Sequence, residues 1–319
     1  MAMPLPLILI AALNLAIGPC PAGETSAPPT DQTIPNTTWA LPPGLELSVE
    51  WVITPAPAAK KTDKQTAGNK WDEMRFDVDA KGIPWFGNGK RKLMVNPLKN
   101  SLFLLSEPFL DFAWLQSGQL IILTNTTLGF LDNSREPVTG ASGLPIMPFK
   151  PGMGMPYAGM RLTVAGNQAL YIQGQNPRDK QYEVYLLKAA EGEKGPRAVT
   201  LFASEEAVTA TAGDGGSLFV AVGRLVVRVR VEKEKGNMVG VFAHPTQEIT
   251  GLAFSKEAGL FYATASAIGY VGEDNYEFMK SPKTRISLHG KELYVFLGAG
   301  NGVIKISDVD QFSKLRSQQ

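Results

Sequence analysis

The sequence predicts an all-β fold made of small antiparallel sheets repeated around one axis. Three observations predict it. The first is a turn containing glycine followed by apolar residues that begin a strand, which returns six times, with the turn glycines at 82, 118, 166, 215, 259 and 290. The steps between them are 36, 48, 49, 44 and 31 residues, which bracket the length of one four-stranded blade. The second is composition: 44% apolar and 19% charged residues, with 32 Gly and 23 Pro, suit many short strands joined by tight turns. The third is that no stretch sustains helical periodicity over a useful length. A unit of this size cannot bury both faces of its sheet alone, so repetition around an axis completes the core. The expectation is a six-bladed β-propeller of four-stranded antiparallel blades.

Residues 1–22 read as an export signal. Residues 5–17 form an uncharged apolar run, too short to span a bilayer comfortably, and the small residues Gly18, Cys20 and Ala22 follow. The expected location is periplasmic or extracellular. Cys20, the one cysteine, stands where a lipid-modified cysteine stands in a bacterial lipoprotein, although Pro19 is a poor fit to the small residue that processing wants. Both a lipid anchor at Cys20 and its removal with the signal remain open.

Residues 23–44, with Pro28, Pro29, Pro35, Pro42 and Pro43 among Ser and Thr, read as a Pro-rich linker. Residues 45–54 then alternate as a half-buried strand, with Leu45, Leu47, Val49, Trp51 and Ile53 on one face. The last repeat supplies only three strands, at 284–288, 293–297 and 302–307. The strand at 45–54 is therefore expected beside 303–307, closing the ring.

Residues 57–70, carrying Lys60, Lys61, Lys64 and Lys70, read as a mobile loop. Strands are expected at 111–114, 120–125 and 127–131, then at 208–211, 218–222, 225–231 and 238–243, then at 249–254, 260–264, 268–271 and 276–279. One long interruption, residues 133–159, is rich in Pro, Gly and Met and reads as a structureless insertion. The propeller domain is bounded at 45–312, with a polar tail at 313–319.

The string Phe76-Asp77-Val78-Asp79-Ala80-Lys81-Gly82-Ile83-Pro84-Trp85-Phe86 resembles the inner strand, turn and second strand of NHL-type and WD-repeat-like propellers. Asp111-Phe112-Ala113-Trp114-Leu115-Gln116-Ser117-Gly118-Gln119-Leu120 and Ile249-Thr250-Gly251-Leu252-Ala253-Phe254 are similar. The resemblance covers about residues 72–310 and implies a toroid of six four-stranded blades. No Trp-Asp dipeptide ends a third strand, and no Gly-His pair opens a repeat, so no catalytic residue is carried over.

Net charge is +1, from 31 basic and 30 acidic side chains without a basic stripe, so the electrostatic footprint of a nucleic-acid binder is missing. The two histidines, His244 and His289, fall in different repeats and are read as surface or turn residues rather than as a catalytic base. Propeller hydrolases that open lactones or phosphoesters hold an axial calcium with oxygens from several blades, and Asp77, Asp79, Asp111, Asp214 and Asp308 are the candidates for that set. Asp before Gly is more often turn chemistry, and no metal or cofactor is expected. Thioether binding of Cu(I) at Met147, Met153, Met155 and Met160 would lack a supporting His or Cys, and Met packing at a contact surface is the plainer role. Asn36-Thr37-Thr38 and Asn125-Thr126-Thr127 fit the glycan acceptor pattern, without meaning in a bacterium.

The leading expectation is an exported, non-enzymatic interaction scaffold with protein partners in a cell-envelope assembly. Its contact residues would be Met147, Met153, Met155, Tyr157 and Met160, with Lys90, Arg91 and Lys92 steering an acidic partner. The alternative is a lactonase-like hydrolase, or a binder of a small ligand or metal, with its site at the central channel.

Overall fold

The computed structural model describes residues 34, 37–54, 74–99, 101–105, 108–124, 127–131, 144–148, 158–166, 169–188, 197–244, 246–272, 276–298 and 302–314. β1 (Thr38–Trp39) and β2 (Ser48–Ile53) come first. A first sheet holds β3 (Arg75–Val78), β4 (Pro84–Asn88), β5 (Leu93–Asn96) and β6 (Ser101–Leu104). A second holds β7 (Asp111–Trp114), β8 (Leu120–Leu123), β9 (Thr127–Leu131) and β10 (Leu144–Pro148). The third comprises β11 (Ala158–Val164), β12 (Leu170–Gln175), β13 (Tyr182–Lys188) and β14 (Arg197–Ser204). β15 (Val208–Gly213), β16 (Ser217–Val222), β17 (Leu225–Glu232) and β18 (Lys235–Ala243) make the fourth. The fifth contains β19 (Ile249–Ser255), β20 (Gly259–Thr264), β21 (Ala267–Val271) and β22 (Tyr276–Lys280), and the sixth β23 (Thr284–His289), β24 (Glu292–Leu297) and β25 (Gly302–Ser307). All pairings are antiparallel, and the fold is a β-propeller.

The repeated sequence signal marks the second strand of each sheet. β8, β16, β20 and β24 are buried along nearly their whole length, because they lie between two neighbours in their own sheet and between two sheets. The third strand β17 alternates instead, with Val227 and Val229 buried while Arg228 and Arg230 are exposed. The hairpin before the second strand turns on a left-handed residue, with Gly82 at φ 75°, Gly118 at 83°, Gly215 at 88° and Gly259 at 90°.

The core is a set of layers between successive sheets rather than one central mass. Trp85, Met94, Phe112 and Trp114 fill the layer between the first and second sheets, and Ile121, Leu123, Met160 and Ile172 the next. Tyr171, Val184, Leu218 and Val220 join the third and fourth, and Ala221, Ile249 and Tyr262 the fourth and fifth. Phe261, Phe278, Val295 and Ile304 join the fifth and sixth. Phe86 of β4 and Phe296 of β24, with ring centroids 5.2 Å apart, occupy the layer between the sixth sheet and the first.

The N-terminal strand lies antiparallel to the last one, running from Ser48 opposite Ser307 to Ile53 opposite Val303. Three expectations need correction. The Pro-rich segment is not all linker: Thr38 and Trp39 pair with Lys280 and Met279, giving the fifth sheet a fifth strand, and Ile34, Trp39 and Leu41 are buried in its core. Proline frequency masked the apolar Trp39-Ala40-Leu41 that drives this docking. The 133–159 insertion contains β10, which pairs with β9 as the fourth strand of the second sheet. The polar tail begins in structure as well, because α1 (Gln311–Lys314) buries Phe312, and Lys314 Nζ lies 2.7 Å from Asp310. The export signal, Cys20 and the 57–70 loop lie outside the described residues. No helix among the described residues is long and apolar enough to cross a membrane.

Candidate functional site

The first strands of all six sheets, β3, β7, β11, β15, β19 and β23, line a channel of about 1020 Å³. Each is the inner edge of its sheet, so half of its backbone groups have no strand to pair with. Polar side chains from neighbouring sheets take that place. Asp77 Oδ2 accepts a hydrogen bond from the Trp114 amide at 3.0 Å, and Asp111 Oδ2 from the Leu162 amide at 3.0 Å. The Thr163 and Thr211 hydroxyls meet at 2.6 Å, Thr209 donates to the Ile249 carbonyl at 2.6 Å, and Ser255 donates to the Gly290 carbonyl at 2.7 Å. From β23, Ser287 donates to Asp77 Oδ1 at 2.9 Å, and His289 Nε2 lies 2.9 Å from the Val78 carbonyl. The carbonyl can only accept, so Nε2 carries the proton and Nδ1 of a neutral His289 keeps its lone pair.

Asp77 and Asp111 stand apart from the hydroxyls because they can hold charge. Burial pushes both carboxyls above the ordinary carboxylate range, Asp111 to about 6. The Arg75 guanidinium, whose Nε lies 3.8 Å from Asp111 Oδ1, and the amides of Leu162 and Phe112 work against that rise, while the Asp77 charge adds to it. Asp77 is held down by the Trp114 and Val78 amides, the Ser287 hydroxyl and the nearby His289, yet burial dominates. Protonated and ionised forms of Asp111 are therefore both populated near neutral pH.

The raised carboxyl sets a sign for stability. Folded Asp111 holds its proton up to about 6 while the unfolded carboxyl releases it near 3.8, so folding loses stability as pH rises through that window. The loss amounts to about 3 kcal/mol for this group. Urea unfolding between pH 3.5 and 7 is expected to show wild type losing stability relative to Asp111→Asn as pH rises. A constant difference across the window would contradict the burial argument.

Three further polar atoms around the channel are buried without a hydrogen-bond partner among the described residues: Trp114 Nε1, Gln173 Oε1 and Thr284 Oγ1. Gln173 spends its amide nitrogen on the Val208 carbonyl at 3.1 Å. Buried polar atoms are rarely left so.

Of the five candidate aspartates, Asp77, Asp111 and Asp214 line the channel, and Asp214 is spent on its own turn. Asp79 serves its own turn, accepting from the Lys81 and Ile83 amides and from Trp85 Nε1, and Asp214 accepts from the Gly216 and Ser217 amides. Asp308 sits at φ 61° in the turn before α1. Among the described residues no group of three or more His, Cys, Asp or Glu is placed to hold a metal ion. His244 is not a surface residue: it is 2% exposed, its Nδ1 accepts from the Thr246 and Gln247 amides, and its Nε2 therefore donates to Glu277 Oε1 at 2.7 Å. His289 lines the channel rather than a surface turn.

Met160 is 1% exposed in the layer between the second and third sheets, where it packs with Leu123 and Ile172 and is unavailable to a partner. Lys90 and Arg91 are exposed on the turn between β4 and β5, and Lys92 follows there at φ 58°. Met147 lies on β10, while Met153, Met155, Tyr157, Asn36 and Asn125 lie outside the described residues. Sequence reading did not single out Arg75, Ser287 or Gln173, since nothing local distinguishes them from other polar residues in strands.

No protein-family model matches the chain, and no curated protein does. Solved structures do. A luciferin-regenerating enzyme shares the fold with a TM-score of 0.53 at 12% identity, over 82% of this chain and 95% of that one. A gluconolactonase of Xanthomonas campestris aligns with a TM-score of 0.51 at 11% identity, over 74% and 87% of the two chains. PorZ, an essential surface component of the type-IX secretion system of Porphyromonas gingivalis, aligns with a TM-score of 0.50 at 11% identity, over 73% of this chain and 38% of that one. At such identities the likeness is one of fold.

Proposed function

We propose that the protein is a small-molecule propeller enzyme of lactonase-like type, with its site in the central channel. The observation that carries this reading is the pair of carboxyls, half-buried Asp77 and buried Asp111, on adjacent inner strands of that channel, both driven toward their protonated forms. Two of the structurally similar proteins are named as a gluconolactonase and a luciferin-regenerating enzyme, which supports a small-molecule role for this scaffold. In this reading the six sheets are six blades of a closed ring. The Ser287–Asp77 bond and the Phe86–Phe296 contact join the last blade to the first, and β2 completes the last blade.

The chemistry is hydrolysis of a cyclic ester. Asp111, with the Arg75 guanidinium beside it to favour the ionised form, takes a proton from water as the water oxygen attacks the acyl carbon. Asp77 has no guanidinium beside it and is the proton donor to the departing ring oxygen, whose bond to the acyl carbon breaks. The Ser287 hydroxyl can turn from donor to acceptor as Asp77 changes state. The products are a hydroxyl and a carboxylic acid, and the two aspartates exchange protons with solvent to reset.

The test is hydrolysis of a panel of five- and six-membered lactones by the purified chain, followed by acid release. Turnover of at least one lactone that Asp111→Asn removes is expected, and a panel hydrolysed no faster than in buffer would reject the reading.

An exported scaffold in an envelope assembly is the second reading, supported by the likeness to PorZ and the exposed Lys90 and Arg91. Recovery of a mature chain beginning at Gly23 outside the cytoplasm would support export, and retention of Met1 in the cytoplasm would oppose it.

A further inference from the structure

Arg75 is poorly committed to the protein. Its Nε approaches Asp111 Oδ1 only to 3.8 Å, beyond hydrogen-bond length, and its guanidinium makes no hydrogen bond to the described residues. A guanidinium normally meets a carboxylate through two parallel bonds, so a fork offered at 3.8 Å is open to another anion. Arg161 also lines the channel, immediately before Leu162, whose amide donates to Asp111, and its guanidinium makes no ion pair or hydrogen bond to the described residues. Trp114 Nε1 adds a buried donor without an acceptor.

We propose that the channel ligand carries a carboxylate or phosphate group that takes Arg75 away from Asp111, so that binding is accompanied by protonation of Asp111. The inference rests on the channel reading above: the acid that lactone hydrolysis releases carries such a group, so it is an anionic product or inhibitor, not the neutral lactone, that draws Arg75 off and protonates the base. Its physical basis is competition. Asp111 faces Arg75 and Asp77 on β3, the Leu162 amide and the neighbouring Arg161 on β11, and its own strand's Phe112 amide. Arg75 is the cation beside it, so once a ligand anion occupies that guanidinium, burial and Asp77 act on Asp111 with less opposition and the carboxyl takes up a proton. By linkage, anion affinity must then rise as pH falls through the range in which Asp111 titrates.

Calorimetry on the whole chain tests this with succinate, inorganic phosphate and the neutral 1,4-butanediol at pH 7.5 and 5.5. At least one anion is expected to bind ten or more times more tightly than the diol. Its affinity should rise about tenfold between the two pH values, with proton uptake read from buffers of different ionisation heat. Preference for succinate assigns a carboxylate ligand, and preference for phosphate a phosphorylated one. Arg75→Gln is expected to remove the anion preference, and Asp111→Asn to keep binding while losing the part of the pH dependence and proton uptake that exceeds the probe's own titration. Equal binding of diol and anions, no binding of either anion, or a pH dependence unchanged in Asp111→Asn would overturn the inference. Lactone hydrolysis by wild type with no anion preference would sink this inference alone and leave the channel reading standing.

Discussion

Replacing Asp111 by Asn is expected to lower kcat for lactone hydrolysis by about 10²- to 10⁴-fold, the range that one positioned acid or base contributes. Asn keeps the shape and one acceptor for the Leu162 amide, so folding and the KM of a neutral lactone should change little. Asp77→Asn is expected to cost a similar factor through the leaving-group step, and the double variant little more than either alone, because the two groups act as a unit. Stopped assays with the best lactone of the panel, together with unfolding curves for each variant, separate lost chemistry from lost structure. A variant that folds normally and retains more than half of the wild-type kcat would remove its residue from the mechanism.

Phe312→Ala is expected to destabilise the fold by about 3–5 kcal/mol, the usual cost of deleting a buried phenyl ring. The ring lies 4.9 Å from Phe278, 5.2 Å from Tyr270 and 5.7 Å from Phe261, centroid to centroid, and is 1% exposed. It pins the C-terminal turn over the fifth and sixth sheets, where Ile34, Trp39 and Leu41 also dock. Ile34, Trp39, Leu41 and α1 therefore depend on one aromatic cluster. Urea unfolding followed by tryptophan fluorescence measures the effect, and a loss below about 1 kcal/mol would mean that the cluster collapses around the gap.

Why some of this was legible in the sequence follows from range. The turn glycine and the apolar run after it are local, and they mark second strands because a strand buried on both faces must be apolar throughout. The partner of residues 48–53 was legible from arithmetic, since the last repeat lacked a strand and the first alternating segment stood unassigned. β1 and β10 were hidden because Pro-rich composition spoke louder than Trp39 and Leu41, or than the short apolar stretch around Met147.

The channel was less legible still. Asp77 and Asp111 were singled out, but for a cation site with Asp79 and Asp214, which instead tie turns. What joins the working residues are contacts across 37, 51 and 210 positions, from Asp77 to Trp114, Asp111 to Leu162 and Ser287 to Asp77. No periodicity encodes such contacts. They arise because inner strands of different sheets meet only once the sheets have packed. Met160 shows the converse, since a methionine near a Met-rich segment is core once its strand is placed.

The most direct measurement is the pH profile of kcat/KM for the best lactone between pH 4.5 and 9. The account predicts a bell whose acid limb, near pH 6, reports ionisation of the carboxyl pair through Asp111 and disappears in Asp111→Asn. A flat profile, or the same acid limb in that variant, would contradict it.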